Sequence, residues 1–168
     1  MFKKKSLFVV FEGIEGSGKS YQSKKLLKNL KKNNYLAIYT REPGGSKSAE
    51  IIRKTILTGE KKKFTKTTDT LLYLAARNEH IEKTLKRARK KNINIICDRF
   101  VDSTIAYQVY GFGVNRHIID TVHKNILKNI TPDLTFVLKV SLKKAFERIK
   151  KRKKLNRYDK FTKKFYTS

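Results

Sequence analysis

The chain has 168 residues, of which 39% are apolar and 33% charged, enough for one soluble domain with a core of its own. Its 41 Lys and Arg stand against 14 Asp and Glu, a formal charge of +27 that attracts polyanions and phosphorylated small molecules at low salt. Cys97 is the only cysteine, which excludes an internal disulfide, and the apolar run Leu7–Phe11 is too short for a signal peptide or membrane span, so a cytoplasmic address is expected. The lysine runs Lys3-Lys4-Lys5, Lys61-Lys62-Lys63 and Lys150-Lys151-Arg152-Lys153-Lys154 fall between ordered patterns. They read as solvated surface, and nucleic acid is expected only through non-specific charge.

Taken in chain order, short apolar runs alternate with longer amphipathic stretches. Leu7–Phe11 reads as a buried strand, followed by a glycine loop and a helix from about Ser20 to Lys32. A second strand over Leu36–Thr40 ends at the turn Pro43-Gly44-Gly45. Helical spacing covers Ser48–Leu57 and then Asp69–Lys90, before a third strand over Ile93–Cys97. Helical stretches at Ser103–Tyr110 and Arg116–Lys128 follow. Pro132-Asp133 introduces a fourth strand, Leu134–Val140, after which Ser141 can cap a helix. Strands that are apolar throughout and separated by helices predict an α/β fold, a parallel sheet covered by helices on both faces. Ligands bind outside the carboxyl ends of such strands, and that is where Glu12, Arg41 and Asp98 fall. No linker, repeat or second domain is visible.

Gly13-Ile14-Glu15-Gly16-Ser17-Gly18-Lys19-Ser20 fits the phosphate-loop pattern G-x-x-x-x-G-K-[ST] between a strand and a helix. Its glycines let backbone N–H groups wrap a triphosphate, aided by the helix N-terminus. Lys19 is expected to reach the β- and γ-phosphates, and the Ser20 hydroxyl to hold Mg²⁺.

Three further clusters, Thr40-Arg41-Glu42-Pro43-Gly44-Gly45, Leu71-Leu72-Tyr73-Leu74-Ala75-Ala76-Arg77 and the run from Asp98 to Gln108, stand in order with the loop and with Pro132-Asp133-Leu134-Thr135. On these residues the chain, from about 6 to 166, resembles the bacterial thymidylate kinase family, which moves a phosphoryl group from ATP to dTMP. The resemblance implies a three-layer P-loop fold, 1–168 as one kinase domain with a basic lid at about 148–158, and a homodimer. It places Tyr73 against thymine and Arg77 on its carbonyl, two residues that share a helical face by their spacing. It places Arg99 on the acceptor phosphate and Thr104, Tyr107 and Gln108 along base and sugar, with a tyrosine excluding a ribose 2′-hydroxyl. Glu42 and Arg53 match acceptor positions near sugar and phosphate, and Asp98 matches a carboxylate supporting Mg²⁺. Glu15 would orient the acceptor or a metal-bound water. Members with Gly-x-Glu-Gly in the loop, as in Gly13-Ile14-Glu15-Gly16, keep the catalytic arginine in the lid, where this chain has Arg148, Arg152 and Arg157.

Two departures from the family pattern stand out. A fifth strand and a closing helix usually follow, whereas the sequence stops at Ser168, and Lys139 replaces a common aspartate. Two rival readings stand beside this one, a phosphate-loop kinase for another nucleotide, against which Tyr73, Arg77 and Ala106-Tyr107-Gln108 argue, and a decayed, non-catalytic nucleotide- or nucleic-acid-binding protein whose working feature is its charge. A signalling GTPase lacks support, because no Asn-Lys-x-Asp motif is present.

Overall fold

The computed structural model describes residues 6–60, 63–152 and 156–160. The Lys3-Lys4-Lys5 run, Lys61, Lys62 and residues 153–155 of the expected lid lie outside them.

The sheet has the order β2-β3-β1-β4, all parallel, built from β1 (Phe8–Glu12), β2 (Ala37–Arg41), β3 (Asn94–Asp98) and β4 (Leu134–Val137). The first three strands each run one residue further than the apolar pattern predicts. Their polar last residues still pair, as in Arg41 with Asp98 and Glu12 with Val137. β4 is shorter than expected and, among the described residues, lies at the edge of the sheet with its residues exposed.

Alternate residues of β1 and β3 enter two different cores, as the strand period demands. On one face Val9, Phe11 and Ile96 pack against Leu26, Leu27 and Leu30 of α1 (Lys19–Lys32). On the other, Phe8, Val10, Ile95 and Cys97 pack with Ile81, Leu85, Ala88 and Ile130. Burial raises the Cys97 thiol pKa well above its ordinary value, as suits a core residue.

α2 (Lys47–Leu57) starts at Ser46, whose side chain accepts from the Ala49 N–H. The stretch read as one helix over Asp69–Lys90 begins earlier, because the Thr65 hydroxyl caps α3 (Lys66–His80). It then widens into a π-helical turn at Ile81–Leu85 before α4 (Lys86–Lys90). α5 (Val101–Thr104) likewise passes into a π-helical turn, Ile105–Gly111. α6 (Arg116–Leu127) and α7 (Leu142–Lys150) complete the layers, and Ser141 caps α7 as its position predicts. A Cβ on Gly16 would lie 2.5 Å from the Ala145 carbonyl, so the glycine is what lets α7 press onto the phosphate loop. Among the described residues no helix is long and apolar enough to cross a membrane.

Candidate active site

The carboxyl ends of β1 and β3 are neighbours, and main-chain bonds continue past them, from Arg99 N–H to the Phe11 carbonyl (2.9 Å) and from Glu42 N–H to that of Asp98 (3.0 Å). These ties gather the loops that follow each strand around one cavity of about 300 Å³. Glu15, Lys19 and Ser20 line it from the phosphate loop, and Glu42 and Arg53 from the β2–α2 region. Tyr73 and Arg77 come from α3, and Asp98, Arg99, Thr104, Tyr107 and Gln108 from β3 and the helix after it. Arg152 reaches it from the expected lid. Residues scattered over 130 positions of sequence thus share one cleft.

At its phosphate-loop end Gly13, Gly16 and Gly18 all have positive φ, the curvature that turns backbone N–H groups inward. Ser17 and Ile14 close the turn through an N–H to carbonyl bond of 3.2 Å. Lys19, 6% exposed, donates from Nζ to the Ile14 carbonyl at 2.7 Å. Burial and then the Arg99 guanidinium lower the Lys19 pKa to about 7. The Ser20 hydroxyl donates to the Asp98 carboxylate, which brings the two expected metal-holding groups together. Arg148 sits over the loop, its Nη1 donating to the Gly16 carbonyl at 2.9 Å. Lys139 is exposed, one residue beyond Leu138, whose carbonyl would lie 2.6 Å from a Cβ on Gly13.

Arg99 stands between the two halves of the cleft. It holds φ at 73°, a left-handed conformation that non-glycine residues seldom adopt, so its side chain is aimed by a strained backbone. Its guanidinium donates to the Gly13 carbonyl at 3.0 Å, Ser103 Oγ at 2.8 Å and Glu15 Oε1 at 2.8 Å. Burial alone would raise the Glu15 pKa, but Arg99, the Tyr107 hydroxyl and Lys19 together hold it below the usual range. Glu15 is therefore an ionised acceptor fixed beside the guanidinium.

The far end is set by α3. Arg77, 2% exposed, donates from Nε to Glu42 at 2.7 Å and from Nη2 to the Phe100 carbonyl (2.9 Å) and Thr104 Oγ1 (2.8 Å). Its Nη1 lies 2.6 Å from His123 Nε2. A guanidinium has no acceptor, so His123 must present a lone pair there and carry its proton on Nδ1. Burial and then Arg77 lower the His123 pKa to about 4, in keeping with a neutral ring. Glu42 is also met by His80 Nδ1 at 2.9 Å, while His80 Nε2 lies 2.6 Å from Thr40 Oγ1. Glu42 thus braces Arg77 from behind. Arg53 donates to the Pro43 carbonyl at 2.6 Å.

Of the expected lid arginines, Arg152 lines the cavity and is held at 2.5 Å by Asp159. The Arg157 guanidinium is not brought to the phosphate end. It is 2% exposed and paired with Asp69 on α3. Asp69, His80, His123 and Tyr158 join the site without having been singled out in the sequence. Asp69 could have been found, since it precedes Tyr73 by one helical turn, whereas nothing local marks His123.

A parallel α/β sheet with a phosphate loop at its central strand, lysine and several arginines facing one cleft, and a separate aromatic-lined end defines an ATP-dependent nucleoside monophosphate kinase, a phosphotransferase. A sequence profile described as thymidylate kinase matches residues 11–168. Thymidylate kinase from Mycoplasma capricolum subsp. capricolum is 42% identical over 156 residues, covering 92% of this chain and 73% of the relative. The enzyme of the same name from Wolbachia pipientis wMel is 40% identical, covering 95% and 79%. The crystal structure of thymidylate kinase from Ehrlichia chaffeensis superposes with a TM-score of 0.75 at 36% identity, covering 86% of this chain and 82% of the other. The chain belongs to the thymidylate kinase family.

Proposed function

We propose that the chain transfers the γ-phosphoryl group of ATP to the 5′-phosphate of dTMP within one kinase domain, and that the residues facing the cleft divide the work. The observation that carries this reading is the single cavity with Lys19 and Arg99 at one end and Tyr73, Arg77 and Tyr107 at the other. In-line transfer needs positioning and charge neutralisation more than covalent chemistry. Gly13 to Ser20 would cradle the ATP phosphates, with Lys19 on the migrating group and Arg152 closing over it from the lid. Arg99, already aimed by its backbone, would exchange its bonds to Gly13 and Ser103 for the acceptor phosphate. Glu15 would keep that guanidinium in place and orient the acceptor.

The acceptor phosphate is anionic near neutral pH, so no strong base is required. Tyr73 would stack on thymine, and Arg77 would offer its remaining N–H to a base carbonyl. Thr104, Tyr107 and Gln108 would line base and sugar, with Arg53 toward the phosphate. The Ser20 hydroxyl and Asp98 carboxylate are hard oxygen donors in mutual contact, a set that suits Mg²⁺, which keeps several waters and leans on few protein groups. Bound there, Mg²⁺ would supply charge neutralisation for the phosphates. A cytoplasmic homodimer completes the reading. Exposed Ile51 on α2 and Leu71 on the adjoining α3 offer an apolar face to a second copy, which light scattering would detect.

The test is ADP release by purified protein given ATP, Mg²⁺ and dTMP, with dUMP, dCMP and dGMP as alternatives and Lys19→Ala as the blank. Turnover selective for dTMP and lost in the blank is expected. A folded protein without turnover would overturn the reading.

A further inference from the structure

Asp69, Tyr73 and Arg77 follow one another at four-residue spacing along α3, so a carboxylate, a ring and a guanidinium form one row. Tyr73 and Arg77 face the cleft. Asp69 is 2% exposed, and a buried carboxylate needs partners. Among the described residues, both side-chain partners of its carboxylate come from the short turn at 156–160. Arg157 pairs with Oδ1, and the Tyr158 hydroxyl donates to Oδ2 at 2.6 Å. The Arg157 N–H adds a bond of 3.1 Å to the Leu57 carbonyl at the end of α2. The turn is braced internally as well, because Asn156 Oδ1 accepts from the N–H groups of Tyr158 (2.8 Å) and Asp159 (3.1 Å). Held in this way, the Tyr158 ring stands edge-on to Tyr73 and Tyr107, with centroids 5.9 Å and 5.8 Å away, and lines the cavity.

We propose that Asp69 is a positioning residue that latches the 156–160 turn onto α3, and that Tyr158, set by this latch, is a wall of the acceptor pocket that fits it to a pyrimidine nucleotide. The inference rests on the acceptor role proposed for this cavity. Arg157 then works through Asp69 and does not touch the phosphoryl group.

Two measurements on the full chain test this, hydrogen exchange at the amides of 157–160 without nucleotide, and calorimetric binding of dTMP and of ATP separately. Asp69→Asn should lose the exchange protection and weaken dTMP about tenfold, while ATP binding stays nearly unchanged. Tyr158→Ala should weaken dTMP and narrow the preference for dTMP over dGMP. Unchanged dTMP affinity in Asp69→Asn, or equal losses of ATP and dTMP, would overturn the proposal. If Asp69→Asn does not fold, Tyr158→Phe and Arg157→Met remove the same bonds from the other side, and either must weaken dTMP for the latch to stand. A wild-type protein that binds no monophosphate overturns the acceptor reading and the wall with it, while the exchange data still report on the latch.

Discussion

Lys19 and Arg99 compete for the same anionic environment, and the competition shows in the lysine. Burial and Arg99 bring its pKa from 10.5 to about 7, so above neutrality the free amine is mostly uncharged. A triphosphate beside it favours the ammonium and raises the pKa again. ATP binding at pH 8 should therefore take up close to one proton, and at pH 6 almost none, read from calorimetric enthalpies in buffers of different ionisation heat. Affinity should fall as pH rises above 7, and Lys19→Met should lose both effects.

His123 gives the opposite dependence in stability. Its folded pKa is lowered from 6.5 to about 4, so the unfolded chain takes a proton first as the solution is acidified. Its contribution is complete above pH 6.5 and is lost between there and about 4. Urea titrations should show that slope in the wild type and much less of it in His123→Asn, which keeps an acceptor for Arg77. His123→Leu leaves the buried Arg77 N–H unpaired and should cost about 1–3 kcal/mol at neutral pH. At this scale the sequence was informative where a motif names its own geometry, as for Lys19, and silent where the partner is tertiary. His123 lies 46 positions from Arg77 on another helix, and nothing between them in the chain signals the contact.

Among the elements, the strands were legible from their apolar runs, buried through β1 and most of β3, and each was found within a residue at its start. The strand ends and helix interruptions were not, since they depend on what lies alongside. Glu12 stays in β1 because its carboxylate accepts the Phe100 N–H at 2.7 Å and the Ser103 hydroxyl at 2.5 Å. The two π-helical turns leave no trace in hydrophobic spacing. The glycine pair after β2 shows how one element serves another. Gly45 has φ 87°, and a Cβ there would strike Thr40 Oγ1 and lie 2.6 Å from His80 Nε2. Those two groups stand behind Glu42, which braces Arg77. Gly45→Ala should thus lose about 2–4 kcal/mol of stability from backbone strain and overlap, and should raise the KM for dTMP more than that for ATP. Gly113→Ala, with φ 69° and no atom within 4 Å, is the matched control and should lose about 1–2 kcal/mol with both KM values intact.

For the whole molecule the question is what a charge of +27 does to an enzyme whose substrates are phosphates. The cleft has both signs, with Glu15, Glu42 and Asp98 set against Lys19, Lys24, Arg41, Arg53, Arg77, Arg99 and Arg152. The excess lies mostly outside it, on faces such as that of α1, whose 14 residues include Lys25, Lys28, Lys31 and Lys32 and no acid. Charge at such a distance acts through the long-range field, which raises encounter rates with anions and is screened within about 10 Å at 0.1 M salt. Groups inside the cleft are screened far less. Added potassium chloride should therefore lower kcat/KM for ATP several-fold between about 0.05 and 0.5 M while leaving kcat nearly constant. A polyanion such as heparin should inhibit competitively at the low end and lose its effect at the high end. If kcat/KM stays flat over that range, the surface lysines are solvated charge without a part in capture, and the phosphates are drawn in by the cleft alone.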